Sequence, residues 1–372
     1  MIDIEAAIGV TRIGDLTGYD RIGIPVAMAV RPLSRGYCVA QGKALTFAGA
    51  RSSALMEAAE GYHGENIDRP LHYASYAELK DAGAVDPQLL PRVRGRIVGA
   101  YERFLWIRGQ TLSGDAALVP FECVHTDYSL PSRASPGVFL CSSNGLGAGR
   151  SFADSGLHAL LEVLERDAEA VFRAAGLWTD MKWRVAFDAL PEGDASRVVE
   201  RLRSVDIEPH AWNITSDLGV PAIYVTLVDK REPLHSPVKL VSGSACREGG
   251  EAALLAALLE AIQTRATVIA GTRDDLYFDH YLDIDTQLVS AKLHLLETSV
   301  AGSVLPSSCN ASIDALGGLV EEALGCSIVV VDLSLGICGV HVVRVIVPGA
   351  EGVPGHSEYA RGVRARIAAR KQ

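Results

Sequence analysis

The chain has 372 residues, is 48% hydrophobic and carries a net charge of −10. That supplies a sizeable core, and scattered Gly and Pro argue against a long disordered segment. The acidic balance opposes nonspecific nucleic-acid binding, which needs clustered positive charge; the basic end "RGVRARIAARKQ" reads as a solvated last helix. Seven cysteines without a C-x-x-C pair exclude a zinc ribbon or a disulfide framework and read as reduced and packed. The N-terminus lacks an apolar signal region and no run of about 18 apolar residues follows, so the expectation is a cytoplasmic protein without a membrane span.

In chain order, "IPVAMAVRPL" and "GYCVAQGKA" predict paired strands, and the Ala-rich spacing that follows predicts a helix from Phe47 to Gly64. "ENIDRPLHYASYAELKDAGAVDPQ" reads as a polar connector. "ERFLWIRGQTL", "AALVPFECV" and "GVFLCSSNG" predict strands leading into a helix over "DSGLHALLEVLERDAEAVF". Then come "MKWRVAFDAL" as a strand, a helix near Ala195 to Ser204, strands "EPHAWNIT", "VPAIYVTLVD" and "VKLVSGSAC", and a long helix from Gly250. A helix near Ala311 to Leu324, strands "SIVVVDLSL" and "GVHVVRVIVPG", and a closing helix complete the chain. Strands and helices interleave with no Pro- or Ser-rich linker. This predicts one mixed α/β (α+β) domain over 1–372, with a strand-containing N-terminal segment (1–35) and a C-terminal helix and tail (353–372).

One strand–turn–helix pattern occurs three times. "CVAQGKALTFAGARSSALMEAAEGYH" carries Glu57 and Glu60, "FLCSSNGLGAGRSFADSGLHALLEVLERDA" carries Glu162 and Glu165, and "KLVSGSACREGGEAALLAALLEAIQTRA" carries Glu260 and Gln263. In each, the first acid stands fifteen to seventeen residues after a glycine (Gly42, Gly145, Gly243) taken as a turn residue. Residues three apart lie on one helix face, so each helix presents a fork of oxygen ligands.

Between Ala252 and Ile262 the only polar side chain is Glu260. A helix apolar nearly all round is buried, and a buried carboxylate needs a cation or strong donors. Ser53, Ala54, Gly61, Ala159, Ala256 and Ala257 are small neighbours that leave room for a ligand, though small residues equally favour close helix packing. A single E-x-x-E is ordinarily an amphipathic surface helix; three instances with matching upstream turns change that weighting. Convergent carboxylates suit Mg²⁺, commonly bound together with phosphates, and Lys43, Arg166 and Arg265 add positive groups. A magnesium-nucleotide site is the reading. No G-x-x-x-x-G-K-[ST], H-E-x-x-H or G-x-S-x-G is present. His158, one turn before Glu162, is placed to contact the site, although an ordinary structural role is the commoner one for such a histidine.

These residues resemble the YcaO family. "SALMEAAE" is similar to its S-x-x-x-E-x-x-E helix, "SNGLGAGRSFADSGLHALLEVLERDA" to its Asn-Gly turn and E-x-x-E-R helix, and "LLEAIQTRATVIAGTRDDL" to its E-x-x-Q-x-R helix. The resemblance implies the YcaO fold, with repeated strand–turn–helix units around a central cavity for ATP and Mg²⁺. It implies a lining of Lys43, Ser53, Glu57, Glu60, Glu162, Glu165, Arg166, Glu260, Gln263 and Arg265, with Glu57, Glu60, Glu162, Glu165 and Glu260 on Mg²⁺ and the arginines on phosphates.

Members use ATP to phosphorylate a backbone amide oxygen of a ribosomally made peptide. The product is an azoline ring in a cyclodehydratase, or a thioamide when sulfide attacks. The family's usual Glu eight residues before the second E-x-x-E is here Asp154. The chain closes with "RIAARKQ" in place of the proline-rich end of many ring-forming members, and no fused leader-peptide-binding domain is expected. It looks more like stand-alone members that work on a precursor peptide with a separate protein, either TfuA-like or leader-peptide-binding. Members are often dimers, so a homodimer is expected. The alternative is a non-catalytic nucleotide-binding accessory to a methylthiolating or other modifying partner.

Overall fold

The computed structural model describes residues 4–129, 136–231, 238–273, 305–309 and 312–370. Three antiparallel sheets are each covered by a helix that follows one of their strands. The first sheet orders β1 (Arg12–Asp15), β2 (Val26–Val30) and β3 (Val39–Lys43), preceded by the short α1 (Ile4–Ile8) and followed by α2 (Phe47–Glu65). Thr46 caps α2, its hydroxyl accepting from Gly49 N–H.

The largest sheet contains β4 (Leu71–Ser75), β5 (Arg103–Thr111), β6 (Ala116–Pro120) and β7 (Leu146–Gly149), with α3 (Tyr76–Leu79) after β4 and α4 (Phe152–Ala174) after β7. β11 (Val329–Asp332) and β12 (His341–Ile346) complete it in the order β4-β5-β11-β12-β7, with β6 on β5. The third sheet orders β10 (Leu240–Cys246), β9 (Ala222–Asp229) and β8 (Ile207–Asn213). It packs against α6 (Gly250–Ala270) and α5 (Asp194–Arg203), while α7 (Ile313–Leu324) and α8 (Val363–Ala369) lie against α4.

The interleaved order would ordinarily build parallel βαβ units. Here every pair of named strands is antiparallel. Each sheet therefore has one face free for its helix, and the three repeats of the sequence become β3–α2, β7–α4 and β10–α6.

Glycines set how closely helix and strand approach, and here the turn reading needs correcting. Gly42 and Gly243 lie inside β3 and β10. A Cβ on Gly42 would stand 2.2 Å from Ala54 N, and one on Gly243 would stand 2.4 Å from Ala261 N, so each helix backbone rests on its strand. Gly147 plays that part in β7, 2.8 Å from Ala159 N by the same construction. Only Gly145 is a turn residue of the three, at φ +82°.

Three expectations differ. The supposed connector contains β4 and α3, the latter closed by a Ser75–Glu78 capping box. "GVFLC" makes only an isolated bridge, Phe139 to Arg92, and "MKWRVAFDAL" folds into two short 3₁₀ turns with a bridge from Arg184 to Trp212. Each meets a neighbouring segment at a single residue, so neither builds a ladder. The helix α6 is long and apolar enough to cross a bilayer by length and composition, but most of it is buried in protein. The last residues quoted for the third motif, 274–276, lie outside the described residues, as do residues 371–372 of the tail.

Candidate nucleotide site

The three repeat helices meet around one cavity of about 600 Å³, lined from all three units. Lys43, Ser53, Glu57, Glu60, Glu162, Glu165, Arg166, Glu260 and Gln263 all line it. Nine of the ten residues expected there are thus brought together.

Backbone N–H groups hold three of the acids, and side chains hold the other two. Gln41 N–H donates to Glu57 Oε2 (3.3 Å), Ala148 N–H to Glu60 Oε1 (2.8 Å) and Gly145 N–H to Glu162 Oε2 (3.2 Å). Ser244 on β10 donates to Glu165 Oε1 at 2.7 Å, and Arg166 Nη1 reaches the same oxygen at 3.1 Å. Glu260 pairs with Lys43 and accepts from Gln263 Nε2 at 3.5 Å.

So many carboxylates in one enclosed space resist ionisation. Burial pushes the Glu57 carboxyl up to about 7, Lys43 offsetting this in part. Burial likewise raises Glu162 to about 7, against the pull of Arg166. Glu60 is raised well above its ordinary value by burial and by the Glu162 charge. Glu260 behaves oppositely: burial works to raise it, but the Lys43 ammonium, with Arg166 and Arg247, brings it below the ordinary range. Burial opposes the Arg166 charge too, yet Glu165, Glu162 and Glu169 hold its guanidinium above the ordinary value. The cavity wall is a set of oxygen donors short of positive charge.

Arg265 is the exception among the expected residues. It is 3% exposed, and donates to Asp20 Oδ2 (2.9 Å), Asp229 Oδ2 (2.9 Å) and the Val238 carbonyl (2.5 Å). Five residues beyond Glu260 a helical side chain points roughly 140° away from it, toward the sheet instead of the cavity. Its role is to bind α6 to the first and third sheets' loops. Asp154, the shortened family acid, is exposed in the first turn of α4 and does not line the cavity.

The cations that sequence reasoning missed are Arg31, Arg247 and Arg273, all on the lining, with Arg31 paired to Glu65. Arg247 directly follows β10 and precedes α6, as Lys43 ends β3 before α2; that parallel was the available signal. His158 also lines the cavity, its Nε2 3.9 Å from Glu60 Oε1. Its side chain is half exposed, yet desolvation by the cavity walls, with Arg247 and Lys43 nearby, lowers its pKa to about 4 and favours the neutral imidazole. Tyr37 and Tyr128 meet edge-on at 5.5 Å on the rim.

The residues fit a magnesium-nucleotide complex by chemistry. All five acids are hard oxygen donors, Lys43, Arg166 and Arg247 supply phosphate-binding charge, and buried Gln263 Oε1 has no hydrogen-bond partner. Among the described residues no three His, Cys, Asp or Glu side chains stand together as a closed metal cage. That accords with Mg²⁺, which takes one or two carboxylates and completes its shell with water and phosphate oxygens.

A family model described as "YcaO cyclodehydratase, ATP-ad Mg2+-binding" matches residues 41–351. The chain belongs to the YcaO family. ATP and Mg²⁺ are the cofactors by which that family is described. A Rhizobium leguminosarum bv. trifolii protein, named for its place in the tfuA 3′ region, is 31% identical over 362 residues, covering 92% of this chain and 84% of that one. Among solved structures, YcaO from Methanopyrus kandleri bound with AMPPCP and Mg²⁺ superposes with a TM-score of 0.72 at 22% identity, covering 96% of this chain and 91% of that chain. A heterocyclase in complex with substrate and cofactor gives 0.74 at 20% identity over 95% of this chain, which spans 54% of that longer chain. The mixed fold expected from the sequence is the YcaO fold.

Proposed function

We propose that this YcaO chain is an ATP-dependent enzyme that modifies backbone amides of a ribosomally synthesised peptide in the cytoplasm. One observation carries the reading: Glu57, Glu60, Glu162, Glu165 and Glu260 of the three repeated helices face a single cavity together with Lys43, Arg166 and Arg247. Bound ATP supplies the phosphoryl group that turns an amide oxygen into a leaving group. Glu57, Glu60, Glu162, Glu165 and Glu260 are the candidates to hold Mg²⁺; Lys43, Arg166 and Arg247 orient and neutralise the phosphates; Ser53 and Gln263 complete the lining. Phosphoryl transfer is catalysed chiefly by such positioning and charge neutralisation, so no protein nucleophile is needed.

The product is an azoline ring or a thioamide, according to whether a neighbouring Cys, Ser or Thr or an external sulfide attacks. The tfuA-region relative supports a TfuA-like partner. The test combines the purified chain, Mg-ATP, a candidate peptide and that partner. Phosphate release with loss of one water per site marks ring closure, and exchange of one oxygen for sulfur marks thioamidation. No phosphate and no mass change in any combination returns the chain to the accessory role.

A further inference from the structure

We propose that a second groove docks an acidic, apolar-interspersed peptide segment of a protein partner. The groove lies between residues 88–96, the C-terminal end of α7 and residues 349–366, has a volume of about 460 Å³, and shares no lining residue with the carboxylate cavity. Its apolar lining includes Leu89, Leu324 and Val363, of which Leu89 is 38% and Val363 58% exposed. Around them stand Arg92, Arg96, Arg361 and Arg366.

Among the described residues the one acid lining the groove is Glu351, and it is spent internally. It is 2% exposed and accepts from Tyr359 Oη (2.6 Å), Gly362 N–H (2.7 Å) and Ala365 N–H (2.8 Å). Arg92 donates to Gln88 and Arg96 pairs with Glu102, whereas Arg361 and Arg366 form no ion pair with a described residue. A chain of net charge −10 thus concentrates positive charge around one apolar trough.

Charge complementarity asks for an anionic occupant, and the trough decides its class. An apolar floor of side-chain dimensions rewards Leu or Phe placed between Asp and Glu, which nucleic acid does not offer; the overall acidity further repels a polyanion. The position also suits a partner of this protein. Arg364, on the groove wall, donates through Nε (2.9 Å) and Nη2 (2.9 Å) to the buried Asp167 of α4, next in sequence to Arg166. An occupant would rest against the anchor of the helix that carries Glu162 and Glu165.

The test is fluorescence anisotropy with the full chain and a labelled peptide alternating Glu with Leu and Phe, beside its Gln-for-Glu counterpart. The expected result is binding that falls about tenfold or more on raising salt from about 50 to about 300 mM and in the exposed pair Arg361→Glu/Arg366→Glu. A Lys-for-Glu peptide should instead prefer that variant, and Arg361→Gln/Arg366→Gln provides a milder substitution should the first unfold. Magnesium-nucleotide binding should be unchanged in both. Equal binding of the Gln peptide, equal binding by the variants, no binding, or tighter binding of an RNA oligonucleotide of similar length each overturns the proposal.

Discussion

Lys43 and Glu260, 217 residues apart in sequence, form an ion pair across the cavity that ties the end of β3 to the middle of α6. Lys43 holds Glu260 ionised where burial alone would favour its protonation. The pair preforms one edge of the phosphate site.

Removing that ammonium by Lys43→Met therefore affects the ligand more than the fold. Nucleotide affinity in the presence of Mg²⁺ should fall by about tenfold or more, with little change in Tm because both side chains are partly exposed. Titration calorimetry with a non-hydrolysable ATP analogue measures the first and a thermal melt the second.

Glu162→Gln should separate binding from stability in the opposite sense. Burial and the neighbouring Glu165 both disfavour the Glu162 charge, so the amide should leave the free protein as stable or more stable at pH 8 while weakening magnesium-nucleotide binding. A lower Tm together with undiminished affinity would show that the carboxylate is structural.

The same shifts predict the pH dependence. Glu57 and Glu162 rise from 4.5 to about 7 in the folded protein, so the native state holds more protons than the unfolded chain between these values. Their contribution to stability is present below about 4.5 and is lost as pH rises through about 7. Over that same range Mg-nucleotide affinity should increase, since the metal binds the deprotonated carboxylates. Melts of the free chain across this interval, with and without Mg-nucleotide, follow both trends.

Arg265 should behave as a structural residue. Arg265→Leu leaves Asp229, whose side chain is 0% exposed, and Asp20 without that partner; breaking such a buried pair costs about 3–5 kcal/mol. Nucleotide affinity per folded molecule should be close to wild type, unlike that of Arg166→Leu. Urea unfolding and calorimetry on the two variants distinguish them.

Gly243→Ala tests the seating of α6. The added methyl would meet Ala261 N at 2.4 Å and Glu260 Cβ at 2.8 Å, forcing helix from strand at a cost of about 1–3 kcal/mol. Displacing Glu260 should weaken nucleotide binding as well.

What the sequence revealed was governed by local pattern. The α2 helix, the three strand–helix repeats and the acids at i and i+3 follow from periodicity that survives folding intact. Arg265 shows where periodicity needed carrying further, since its rotation away from Glu260 was calculable from the helix itself. Arg31 and Arg273 were hidden because loop residues have no period, and only tertiary placement brings them to the cavity, whereas Arg247 could have been matched to Lys43 by its place between strand and helix. Gly42 and Gly243 were misread because a glycine needed for close helix–strand approach is indistinguishable in sequence from one needed for a turn.

The most direct test of the central claim is a crystal structure of the full chain with Mg²⁺ and a non-hydrolysable ATP analogue. The account predicts triphosphate in the cavity, Mg²⁺ at about 2.0–2.1 Å from oxygens of the Glu57, Glu60, Glu162, Glu165 and Glu260 set, and Lys43, Arg166 or Arg247 on phosphate oxygens. Nucleotide bound elsewhere, or bound there with none of those carboxylates on the metal, would contradict it.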